Sequence, residues 1–120
     1  MIHALLAVAV MQAAAPPPRM IEAKSPADIA AVSLINDSMA ALGRKVAACV
    51  AGGQPVGKCQ CNSPAELGRL RLAYENLVRQ RPEWKDQVLG YQYHDKTGKN
   101  ISGAVVMQNM RRQLEALKCQ

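Results

Sequence analysis

The spacing of the cysteines constrains this chain more than any other feature. Cys49, Cys59, Cys61 and Cys119 make an even set in a chain of 120 residues, which in an oxidising compartment reads as a framework of two disulfides. A Cys59–Cys61 bridge would close a strained tight ring. Two pairings remain: Cys49–Cys59 with Cys61–Cys119, or Cys49–Cys61 with Cys59–Cys119. Spacing alone leaves that choice open.

The N-terminus points to the same compartment. Ala4 to Met11 is an unbroken apolar run, followed by Gln12 and the small residues Ala13, Ala14 and Ala15. Residues 1–15 therefore read as a signal peptide, too short to span a bilayer. Two features depart from the pattern: no Lys or Arg precedes the run, and Pro16 directly follows Ala15. The expectation is a periplasmic or secreted protein with no stable membrane insertion once the signal is removed. Pro16, Pro17 and Pro18 then open a flexible or extended tail over 16–24, and residues 25–120 form one disulfide-stabilised helical domain.

Phe is absent, and Trp84, Tyr74, Tyr91 and Tyr93 are the aromatic residues. Aliphatic side chains must therefore fill the core. Ser25, Pro26 and Asp28 give an N-cap, a proline at the first helical position and an acid in the first turn, while Gly52 and Gly53 end the segment. Within it, Val32, Ile35, Met39, Leu42, Val46 and Cys49 recur at alternating intervals of three and four, the stripe of a helix that faces other helices. Gln54 to Asn62 reads as a loop. Ser63, Pro64 and Glu66 start a second helix with a capping box, whose stripe is Leu67, Leu70, Tyr74, Leu77 and Val78 and whose end is set by Pro82. Val88 to Tyr93 has mixed β character before the turn chemistry of Asp95 to Gly98, consistent with a short hairpin continuing to Ile101. A third helix is expected from about Ser102, with Met107, Met110, Leu114 and Leu117 on its inner face.

If consecutive helices run antiparallel, the end of the first, the start of the second and the end of the third share one pole, where all four cysteines meet. The expected fold is mainly all-α: an antiparallel three-helix bundle, with a possible short β-hairpin between helices two and three, stapled by two disulfides at that pole.

Catalytic and cofactor motifs are weak. A thiol-based metal-handling protein is one alternative, yet one residue between Cys59 and Cys61 with the other two cysteines far away is not the paired-knuckle spacing of zinc modules. Met39, Met107 and Met110 sit on helical stripes, where filling the core is their default role. A weakly marked envelope hydrolase is a second alternative, for which Glu83, Asp86, Asp95 and His94 are the available groups, in no pattern that fixes their separation. No catalytic, metal or cofactor residue is assigned.

Net charge is +6, so encounters with acidic partners are favoured, whether a protein or an anionic envelope component. Arg69, Arg71, Arg79, Arg81 and Lys85 crowd the second helix and its exit, but at 100° per residue they spread around the cylinder, which argues against nucleic acid. Leu34, Leu72 and Val105 lie off their stripes and, with Arg69 and Arg79, make a possible partner surface, unless the apolar three join a wider core. Nothing in the sequence sets the oligomeric state. The expected role is a non-catalytic exported binding protein of the bacterial envelope, of the inhibitor or immunity type, acting on an acidic partner.

Overall fold

The computed structural model describes residues 17–119, so the expected signal peptide lies outside the described residues. In chain order the elements are β1 (Met20–Glu22), α1 (Pro26–Ala51), α2 (Val56–Cys61), α3 (Pro64–Gln80), a 3-10 turn (Pro82–Trp84), β2 (Val88–His94), β3 (Asn100–Val106) and α4 (Met107–Ala116). This is an α+β fold. The all-α three-helix bundle is therefore incorrect, because a three-stranded mixed sheet with order β1-β2-β3 packs where the bundle would have had only a hairpin.

Local signals placed most of the helices. At the start of α1 the Ser25 side chain accepts a hydrogen bond from the Asp28 amide at 3.1 Å, satisfying a donor that the helix itself leaves free. Gly52 and Gly53 follow its end. The α3 boundaries also match the expectation, but the Ser63 side chain makes no cap hydrogen bond, so the capping box is not formed. The segment read as a loop over 54–62 holds the short helix α2 with Cys59 and Cys61.

The sheet was only partly foreseen. Met20–Glu22, within the stretch read as a tail, is a strand parallel to β2, with Met20 opposite Val88 and Glu22 opposite Gly90. The hairpin is longer than expected: β3 runs to Val106, opposite Val88, and α4 begins at Met107 rather than near Ser102. Alternation decides this. Val105 must face the core beside Leu89, and only an extended chain from Ile101 to Val106 puts Ile101, Gly103 and Val105 on one face.

One contiguous core results. Val32, Ile35 and Leu42 of α1, Leu67, Leu70, Tyr74 and Leu77 of α3, Leu89 and Tyr91 of β2, and Met107, Met110 and Leu114 of α4 are all buried in it. The expected stripes of the helices are thus the core faces. Arg81 ties the exit of α3 to the start of α1: its Nη2 lies 3.1 Å from Asp28 Oδ2, and its guanidinium stands 5.2 Å from the Trp84 ring centroid.

The disulfides are Cys49–Cys59 and Cys61–Cys119, the first of the two pairings left open. Helix α2 holds the centre of both. It presents Cys59 to the end of α1 and Cys61 to the end of the chain, so the sulfurs gather at one place although the bundle does not exist. Such a framework is compatible with an oxidising compartment. Among the described residues, no helix is long and apolar enough to cross a membrane.

Candidate functional site

Helices α3 and α4 do not close on each other along their length. Between them lies an open groove of about 520 Å³, walled by Arg71, Glu75 and Arg79 from α3, Lys85 from the segment before β2, and Arg111 and Glu115 from α4, with Tyr74, Val78 and Leu114 as its apolar lining. Four cations thus surround it against two acids.

The cations differ in what they already hold. Arg111 donates to Asp86 Oδ1 at 3.1 Å and lies 3.6 Å from Glu115 one helical turn on, and the Asp86 hydrogen bond and charge hold its guanidinium firmly protonated. Arg71 donates to the Leu117 carbonyl at 3.1 Å, which tethers the chain just before Cys119. Arg79 and Lys85 make no ion pair among the described residues. They are the cations free to meet a ligand.

Tyr74 lies beneath them. Its hydroxyl is shut off from solvent and has no hydrogen-bond partner among the described residues. Burial raises its pKa; the nearby Arg111 charge opposes that rise, while Asp86 and Glu115 add to it. The phenol is therefore neutral across the physiological range.

The five residues expected at a partner surface separate. Arg79 is in the groove. Leu34 and Arg69 share a shallow cleft between α1 and α3 with Asp37 and Glu66. Leu72 is 58% exposed on α3. Val105 is 3% exposed and belongs to the core, so it offers no surface; the register opposite Leu89 turns it inward. The expectation that the arginines scatter around α3 is half right: Arg69 stands apart, whereas Arg71 and Arg79 share a wall. Sequence reasoning grouped Lys85 with these arginines but spread the set around the helix, and it missed Arg111, which the β-hairpin carries to the groove.

The groups considered for catalysis do not converge. Asp86 is paired with Arg111. Asp95 closes the hairpin turn, its Oδ1 accepting from the Thr97 amide, the Thr97 hydroxyl and the Lys99 amide. His94 is exposed at the end of β2. All four cysteines are in disulfides, and among the described residues there is no cluster of three His, Cys, Asp or Glu that could hold a metal ion.

No family model, curated protein or solved structure matches the chain.

Proposed function

We propose that this chain is a non-catalytic exported binding protein of the bacterial envelope, of the inhibitor or immunity type, which holds an acidic protein partner through the groove between α3 and α4. The observation that carries this reading is the pair Arg79 and Lys85, exposed at the mouth of that groove and without ion pairs among the described residues. A carboxylate brought there replaces water on two cations, while Val78 and Leu114 offer apolar contact beside it. Two disulfides and a net charge of +6 fit a rigid module that meets anionic surfaces outside the cytoplasm.

The test is capture from an envelope extract with the tagged, disulfide-intact protein beside the double variant Arg79→Glu, Lys85→Glu. Recovery of an acidic protein in stoichiometric amount, weakened at least about tenfold by the double reversal and by raised salt, is expected. Equal recovery by the variant, or recovery of polymer or lipid alone, overturns the reading.

A further inference from the structure

The sheet has an open edge whose polarity can be assigned residue by residue. Met107 N donates to Gln87 O at 3.0 Å and Asp95 N donates to Lys99 O at 2.9 Å. Both pairs belong to the register that sets Val88 opposite Val106 and His94 opposite Asn100. In an antiparallel ladder the bonded pairs alternate, so the odd residues from Lys99 to Met107 turn their amides and carbonyls to β2. The even residues Asn100, Ser102, Ala104 and Val106 turn theirs the other way. With the strand order β1-β2-β3, no strand lies on that side among the described residues, and all four residues are exposed.

Proteins protect such an edge with proline, a bulge or charged side chains. β3 has none of these: its register is unbroken over its whole length and its sequence, NISGAVV, contains no charge. The charges nearby are Lys96 and Lys99 in the turn before it. The one acid of that turn, Asp95, is held by Thr97 and Lys99.

We infer that the outer edge of β3 docks an extended acidic segment of the partner, which adds to the sheet as a further strand. The inference rests on the proposal that the partner is acidic. Backbone donors and acceptors at Ser102 and Ala104 supply the pairing, and the lysines at the start of β3 favour a segment with carboxylates near that end. A second copy of this chain suits the edge less well. Paired antiparallel about Gly103, it would set Lys99 opposite Met107, where no acid answers the lysine.

The probe is a short, dye-labelled synthetic peptide of alternating threonine and valine flanked by aspartates, compared with its lysine-flanked counterpart. Fluorescence anisotropy with the full chain is expected to show the aspartate form binding at least about tenfold more tightly, a gap that narrows in high salt. Amide exchange at Ser102, Ala104 and Val106 should slow when that peptide is bound. Ala104→Pro removes only an outward-facing donor and should abolish binding; Ser102→Pro serves if the first variant does not fold. Failure of the peptide to bind, equal binding of the lysine form, or retained binding by a folded proline variant overturns the inference. So does a sedimentation mass of two chains that the proline variant returns to one, which would assign the edge to self-pairing. Spectral changes confined to Arg79 and Lys85 would defeat strand docking and leave the groove standing; a capture experiment without an acidic protein, beside a peptide bound at β3, would defeat the groove alone.

Discussion

Tyr91 stands directly across the β2–β3 ladder from Gly103 and occupies the space a side chain there would need. A Cβ on Gly103 would lie 2.6 Å from the Tyr91 hydroxyl oxygen and 2.8 Å from Asn36 Nδ2. That same pair makes a hydrogen bond of 2.9 Å, Asn36 Nδ2 donating to Tyr91 Oη, which joins α1 to the sheet.

Gly103→Ala should therefore destabilise the protein by about 1–3 kcal/mol, since the buried Tyr91 ring must move and the link to Asn36 lengthens. Tyr91→Phe should cost about 1 kcal/mol through the lost hydrogen bond. In urea melts the double variant should cost less than the sum of the two, because removing the hydroxyl removes the shortest of the new methyl group's contacts, although the ring's Cζ at 2.8 Å remains. Strict additivity would show that the methyl never meets the hydroxyl.

The two disulfides should respond to reductant at different rates. Cys59 is 0% exposed, whereas Cys119 is exposed and Cys61 half-buried, so limiting reductant should open Cys61–Cys119 first, read by mass after alkylation. The bridges close segments with sequence separations of 10 and 58, which in the loop-entropy model contribute about 3 and about 4 kcal/mol. Full reduction should lower Tm markedly; a melting curve unchanged in excess reductant would contradict the assigned framework.

Tyr74→Phe should leave stability unchanged or raise it by about 1 kcal/mol, because the hydroxyl it removes is buried without a partner. Phe keeps the ring in the core cluster at the floor of the groove. A loss above about 1 kcal/mol in chemical denaturation would mean that the hydroxyl is satisfied in solution.

The hairpin turn should loosen in acid. The Thr97 hydroxyl, with the Thr97 and Lys99 amides, holds the Asp95 carboxyl below the usual carboxylate range. For a carboxylate with a depressed pKa, the stabilisation is complete above its unfolded value and fades as pH falls through the lowered folded one. The Thr97 and Lys99 amide resonances should therefore hold steady at neutral pH and shift together in acid, below an ordinary aspartate's midpoint. Asp95→Asn should remove the transition, and an ordinary midpoint in the wild type would contradict the geometry.

The groove shows how far a single helix can be read. Arg71 and Arg79 are in the sequence of α3 for anyone to find, but at 100° per residue Arg79 lies as far from Arg71 as from Arg69, so angular spacing alone does not choose its neighbour. Lys85 follows α3 directly through the 3-10 turn, whereas Arg111 reaches the site only through the β-hairpin that brings α4 back, where it bonds Asp86, a contact with no local signal.

What the sequence determined was local. Ser25 with Pro26, Gly52 with Gly53, and Pro82 bound the long helices, since a cap or a break acts within one turn of the backbone; the three-and-four spacing of Val32, Ile35 and Leu42 marked a buried face for the same reason. The tertiary structure decided what depends on residues far apart. Met20–Glu22 is too short to announce itself and becomes a strand only because Val88–Gly90 offers an edge. Ser102 to Val106 satisfies its backbone in the ladder with β2 rather than in a helix, and the seating of α2 chose which cysteines meet. Strand pairing and disulfide partnership are settled by contacts that no short window of sequence contains.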